Sequence, residues 1–221
     1  MDVDTLCPMC RQLDEDGGHL FFKCKAVKHV WRLLELEQLR CTLISLGTGA
    51  DVAAWRLPDI DVLKINFDGA FIKETRKGAW GFIIRDHHGT GVAAGTGALI
   101  NLYDALHAEV HACLEVLRQA SAMGISRIVL ETDSLNLQTA LTSEAFDRSP
   151  GGWLFREARH LLLLGFDVQT ICHCHRLCNG VAHELAHSSV SRDPDEPIVW
   201  LDPLPSFVQE LLIRHDAGSM I

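Results

Sequence analysis

The stretch VLKINFDGAF, residues 62–71, alternates apolar and polar side chains. Leu63, Ile65 and Phe67 fall on one face; Lys64, Asn66 and Asp68 fall on the other, the two-residue period of a strand. Asp68 is expected to end this strand, on its polar face. GAWGFIIRD (78–86) reads as a second strand closed by the turn DHHGT (86–90), and GVAAGTGALI (91–100) as a third. Such close spacing predicts an antiparallel meander. Then the period changes. In ALHAEVHACLEVLRQASAMG (105–124), Leu106, Val110, Cys113, Leu114 and Leu117 share one helical face, and Gly124 is a stop signal. SRIVLETD (126–133) predicts a strand, SLNLQTALTS (134–143) a short helix, and GWLFREARHLLLLG (152–165) a longer one. FDVQTICHCH (166–175) predicts a strand, and NGVAHELAHSSV (179–190) a helix with Asn179 as N-cap. Three strands followed by strand–helix alternation predict an α/β fold, a mixed sheet carrying helices.

The chain has 221 residues, 48% hydrophobic and 22% charged, enough for a packed core and against wholesale disorder. No apolar run approaches the ~18 residues of a spanning helix. The opening MDVDTLCPMC is acidic and lacks the basic and apolar regions of a signal peptide, so an intracellular setting, nucleus or cytoplasm, is expected rather than secretion. In a reducing compartment the eight cysteines read as metal ligands or small core residues before disulfides. The net charge of −9 argues against a nucleic-acid partner when taken alone. Its distribution weakens that objection, because residues 62–190 carry 11 basic against 13 acidic side chains.

Three acids stand where regular elements meet. Asp68 closes the first strand and Asp133 the fourth. Glu109 shares a helical stripe with Ala105, Ala112 and Val116, an apolar row in which an ionised acid needs a partner. Each has an ordinary alternative. Asp133 could cap the next helix, Asp68 could serve the turn at Gly69, and Glu109 could face solvent. Together, three carboxylates converging at strand ends and a helix face would suit hard cations. Two such ions can clamp the attacking and leaving oxygens of a phosphodiester.

With KINFDGAF, AEVHACLEVLRQA, ETDS and HRLCNGVAHELA in this order, the chain resembles the ribonuclease H-type domains of plant retrotransposon-derived proteins. WRLP (55–58) resembles their lead-in to the first strand, and WLDPLPSFVQELL (200–212) their C-terminal helix segment. The resemblance covers about residues 55–215. It implies a five-stranded sheet and hydrolysis of the RNA strand of an RNA–DNA hybrid with Mg²⁺ or Mn²⁺. Asp68, Glu109 and Asp133 would be metal ligands. A hybrid is recognised by shape, phosphates and 2′-hydroxyls, so broad sequence tolerance is expected. The organisation expected is a zinc-binding segment at 1–37, a linker at 38–60, the ribonuclease H-like domain at 61–191 and an extension with a short helix at 192–221.

The last predicted helix contains a literal H-E-x-x-H, His183-Glu184-Leu185-Ala186-His187, the zinc signature of a metalloprotease. The resemblance offers another reading. Active relatives carry N-x-x-x-D there, and the same spacing from Asn179 gives His183, the fourth site residue beside the three acids. His187 is then one turn further on, expected at the surface. A zincin would also need a third ligand. Asp193 has the spacing of one zincin class, but Val190 stands where that class needs a glycine. Imidazole is a poorer ligand for Mg²⁺ than carboxylate, so a histidine at the fourth position favours Mn²⁺ or weakens turnover. Hence an alternative: a catalytically silent module that binds nucleic acid or protein. His175 is the candidate for the family's auxiliary histidine. The segment SEAFDRSPGG (143–152) is short and not basic, unlike the substrate-gripping insertion of some relatives.

Cys7, Cys10, His19 and Cys24 have the ligand types and number of a structural Zn²⁺ site. CPMC…HLFFKC…VW resembles the zinc-binding segment that follows plant reverse transcriptases, so the chain looks like the tail of a retroelement polyprotein or a host gene derived from one. A second cluster, Cys172-His173-Cys174-His175-Arg176-Leu177-Cys178, alternates its cysteines and histidines across a strand. They diverge from any single ion, and the cysteines read as core residues.

Overall fold

In the computed structural model, residues 55–218 are described; they lie within the compact unit Ala54–Ile221. The expected Zn²⁺ ligands Cys7, Cys10, His19 and Cys24 fall outside the described residues. The strand read at 62–71 is β1 (Leu63–Ile72), in the middle of a mixed sheet. β2 (Lys77–Arg85) and β3 (Gly91–Leu99) follow as the antiparallel meander. β4 (Arg127–Thr132) lies parallel to β1, and β5 (Val168–His173) parallel to β4.

One strand was not anticipated. β6 (Ile198–Leu201) pairs antiparallel with β3, giving the order β5-β4-β1-β2-β3-β6. Five strands were expected and six are present. The added strand covers the β3 edge, which would otherwise offer unpaired backbone groups. Trp200 and Leu201, read as the start of a helical segment, belong to β6; the helix begins only at Ser206, after Pro203 and Pro205.

Helices α1 (Ala105–Ala122), α2 (Leu135–Thr142) and α3 (Gly152–Gly165) cover one sheet face. Ile65, Phe67, Phe82 and Ile84 meet Val110, Leu114, Leu117 and Phe155 there in the main core. Helices α4 (Gly180–Ser188) and α5 (Ser206–Gly218) cover the other face, where Ile83 packs with Val181, Leu185, Val208 and Leu211. No helix among the described residues is long and apolar enough to cross a membrane.

The polar face of β1 is not wet. Lys64, Asn66 and Asp68 are all buried, so each needs partners. Lys64 Nζ pairs with Glu131 Oε1 at 2.7 Å and donates to the Arg56 carbonyl at 2.7 Å. Asn66 donates to Glu131 Oε2 at 3.0 Å and accepts at Oδ1 from Trp55 and Arg85, each at 2.9 Å. The Trp55 ring lies 3.4 Å from the Arg85 guanidinium carbon, a stacked cation–π contact. Trp55 and Arg56, in the segment expected as linker, are therefore tied to the sheet.

Candidate active site

Asp68 is not at the end of its strand; β1 continues four residues beyond it. Parallel pairing of Asn66 with Glu131 aligns β1 and β4, so Asp133, just past β4, comes beside Asp68. Glu109 arrives from the second turn of α1. The approach depends on Gly69, where a Cβ would lie 2.4 Å from the Ala108 carbonyl carbon and 2.5 Å from the Glu109 nitrogen. Carboxylate oxygens of Asp68, Glu109 and Asp133 lie within 4.8 Å of one another. The ordinary readings of the three acids do not describe these positions. Ser134, not Asp133, caps α2 by accepting from the Leu137 N–H at 3.3 Å. Asp68 is inside a strand, and Glu109 faces the other two acids.

His183 joins from the opposite sheet face. Gly81 stands opposite Asp68 in the β1–β2 register. A Cβ at Gly81 would sit 2.3 Å from the Ala186 nitrogen, so the glycine lets α4 lie directly on β2. His183 Nδ1 then meets Asp68 Oδ2 at 2.9 Å. Asn179 occupies the N-cap position of α4 but makes no capping bond. Its amide donates instead to the Phe67 carbonyl at 2.9 Å and to Asp133 Oδ1 at 3.3 Å, linking the two acid-bearing strands to α4.

These groups line a cavity of about 310 Å³ together with Ser134, Arg176 and His187. His187 is exposed, as expected, yet borders the cleft, its ring centroid 4.2 Å from that of His183. His175 does not reach the cleft. Its Nδ1 accepts from the Leu177 N–H at 3.2 Å and caps the short turn Arg176–Asn179. Glu184 lines a different groove, with Phe207 and Glu210 of α5. The H-E-x-x-H motif therefore splits between two surfaces, and its glutamate is not placed to act as base on an ion held by its histidines. Among the described residues the acidic triad is the sole convergent set of three or more such ligands. The Cys172–Cys178 cluster forms none; its cysteines are free and partly buried, less enclosed than core residues.

Burial, and then the charges of Asp68 and Asp133, hold Glu109 well above the usual carboxylate range. Burial also raises Asp68, opposed by the His183 hydrogen bond and reinforced by Asp133. Glu109 Oε2 is buried with no hydrogen-bond partner. A divalent cation is the group that would relieve all three conditions, and hard oxygen ligands suit Mg²⁺ or Mn²⁺.

This crowding has a consequence for stability. An acid whose folded pKa is raised favours the protonated folded form, so stability is lost as pH rises from its unfolded value near 4.5 through the folded one. Half-buried His111, lowered to about 4, works oppositely, stability being gained as pH rises from there to 6.5. The variant difference isolates the acid. In EDTA at pH 8, Glu109→Gln is expected to be more stable than the unmodified protein by about 1 kcal/mol, a Tm gain of roughly 2–4 °C. The gain should shrink at pH 4 and in saturating Mn²⁺, as read by thermal unfolding. A Glu109→Gln protein less stable at pH 8 in EDTA would mean that the carboxylate is satisfied without a cation.

A partly buried carboxylate cluster, with Asp68 inside β1, Asp133 just past β4 and Glu109 on α1, faced by α4, places the molecule in the ribonuclease H-like class of α/β folds. Residues 66–189 match the family described as "Reverse transcriptase-like", and the chain belongs to that family. Among solved structures it is similar to RNase H1 from the halophilic archaeon Halobacterium salinarum NRC-1, at 29% identity. That match covers 60% of this chain and 99% of the other, with a TM-score of 0.54. It shares the fold of the N-terminal RNase H domain of a Mycobacterium tuberculosis protein, at 18% identity, 58% and 93% coverage and a TM-score of 0.53. It also shares the fold of LC11-RNase H1, a structure in complex with an RNA/DNA hybrid, at 17% identity, 59% and 97% coverage and a TM-score of 0.54. No curated protein matches the chain.

Sequence reasoning brought Asp68, Glu109, Asp133 and His183 to one place. It missed Arg176, whose guanidinium lies 3.3 Å from His183 Nε2, and the bridging role of Asn179. In sequence Asn179 before Gly180 reads as an ordinary N-cap; its burial without a capping bond is visible only in the fold.

Proposed function

We propose that this chain is a divalent-metal-dependent endonuclease that hydrolyses the RNA strand of RNA–DNA hybrids. The observation that carries the reading is the convergence of Asp68, Glu109 and Asp133 within 4.8 Å, with Glu109 Oε2 buried and unpartnered. The three carboxylates would hold the ions, and His183 is the fourth site residue. Bound Mg²⁺ or Mn²⁺ would supply Lewis-acid stabilisation at the attacking and leaving oxygens. The protein's share is placement. His183 orients the Asp68 carboxylate, Asn179 ties Asp133 to β1, and Gly69 holds Glu109 against both. The partner is an RNA–DNA hybrid or another nucleic acid; no membrane role is proposed. Around this domain, taken as 61–191, we assign a Zn²⁺-binding segment at 1–37 through Cys7, Cys10, His19 and Cys24. A linker at 38–60, whose residues from Trp55 onward pack against the sheet, an extension at 192–221 that adds β6 to it, and an origin in a plant retroelement complete the proposal.

A second reading, a catalytically silent binding module, is favoured by one observation. The fourth corner holds the imidazole of His183, already engaged with Asp68. Cleavage of a labelled hybrid by the full chain separates the two. The unmodified protein is expected to cleave in Mn²⁺ and more slowly in Mg²⁺. His183→Asp should raise the Mg²⁺ rate roughly tenfold, since an added carboxylate tightens the site for hard ions. If folded unmodified protein cleaves in neither ion and His183→Asp does, the silent module is the correct reading.

A further inference from the structure

The proposed hydrolysis leaves part of the histidine pair unused. His183 and His187 stand one turn apart on α4 and both border the acidic cleft. Two imidazoles at this spacing are the minimal helical clamp for ions that prefer nitrogen, such as Zn²⁺ and Ni²⁺. The triad of carboxylates beside them, all oxygen, suits a different class of cation.

The surroundings of His183 favour its use as a ligand. Its Nδ1 faces Asp68 Oδ2 at 2.9 Å. A carboxylate that accepts a hydrogen bond from one ring N–H fixes the tautomer and leaves the other nitrogen with its lone pair outward. That other nitrogen, Nε2, lies 3.3 Å from the Arg176 guanidinium. Arg176 is exposed at the cleft rim, a long side chain able to turn aside. The ring of His187 lies against that of His183, centroids 4.2 Å apart. Carboxylate, histidine and outward nitrogen form the arrangement by which proteins orient metal-binding imidazoles.

We propose that His183 Nε2 and His187 form a rim site for a borderline divalent ion of the Zn²⁺ or Ni²⁺ class, separate from the carboxylate site, with Asp68 orienting His183. No third histidine, cysteine or acid among the described residues converges on the pair. Water completes the coordination, and binding is reversible rather than structural. The consequence for catalysis rests on the proposed hydrolysis. An ion at the rim displaces Arg176 and puts positive charge beside Asp68, so it inhibits cleavage supported by Mg²⁺.

The test is Ni²⁺ titration of the tag-free full chain by calorimetry, alongside His187→Ala, His183→Ala and Asp68→Asn. The unmodified chain is expected to bind one Ni²⁺ more than either histidine variant. Asp68→Asn should keep that ion with an affinity lower by roughly tenfold; an unchanged affinity would overturn the orienting role of Asp68. Equal Ni²⁺ stoichiometry and affinity in the unmodified chain and His187→Ala would overturn the site. His187 is exposed, so its variant decides the question even where His183→Ala fails to fold. Ni²⁺ binding does not depend on turnover. A protein that cleaves nothing but loses one Ni²⁺ in His187→Ala would refute the hydrolase and keep the clamp; the reverse pattern would refute the clamp alone.

Discussion

Asp68→Asn is expected to lower hybrid cleavage by roughly 10³-fold, about 4 kcal/mol of lost transition-state stabilisation. Asp68 is the acid that meets both its fellow acids and His183. It lies in β1 within reach of Glu109 and Asp133, and it accepts the His183 hydrogen bond. An amide keeps the shape but gives up the negative charge that would hold a divalent cation. The same change relieves the burial and like-charge repulsion that raise the Asp68 pKa. Activity should therefore fall while the Tm in EDTA holds or rises. A parallel loss of activity and Tm would make Asp68 a structural residue, and full activity would remove it from the site.

Gly69→Ala is expected to cost about 3 kcal/mol of stability and most of the activity. A methyl group at Gly69 meets the Ala108 carbonyl carbon at 2.4 Å, the Glu109 nitrogen at 2.5 Å and the Ala108 oxygen at 2.6 Å. All three are backbone atoms of α1 and cannot rotate away, so the helix itself must move. Overpacking of this kind costs roughly 1–3 kcal/mol, and a clash with backbone belongs at the upper end. The displaced helix carries Glu109 with it, and a shift of about 1 Å at a catalytic group costs on the order of 10²-fold in rate. Gly165→Ala, with nothing within 4 Å, is the control and should change stability by no more than about 0.5 kcal/mol. Denaturant unfolding and hybrid cleavage on the same samples read both effects. A stable, active Gly69→Ala protein would show that α1 does not need this close approach.

Much of this arrangement was legible in the residues because periodicity survives tertiary packing. The alternation of Ile65 and Phe67 with Asn66 and Asp68 assigned opposite faces, and the helical phase of α1 turned Glu109 inward. That β1 runs on past Asp68 was not legible, since Gly69 after Asp68 reads equally as a turn. Its need for glycine comes from α1, 40 residues further on. β6 was hidden for a related reason. Ile198–Leu201 is four residues between prolines, too short to show a period, and becomes a strand only because β3 offers an edge. Burial of Lys64 and Asn66 depends on Trp55, Arg85 and Glu131, partners scattered along the chain. The H-E-x-x-H motif shows the opposite failure. Its local spacing is right for zinc, yet the sheet beneath α4 turns the histidines toward Asp68 and leaves Glu184 beside α5.

The most direct measurement is cleavage of an RNA–DNA hybrid labelled on both strands, using the full chain in Mn²⁺, in Mg²⁺ and in EDTA. Duplex DNA and duplex RNA serve as comparisons. The account predicts cuts in the RNA strand of the hybrid alone, present with either metal, faster in Mn²⁺ and absent in EDTA. Intact RNA after incubation of folded protein with both metals would contradict it, as would cleavage that persists in EDTA.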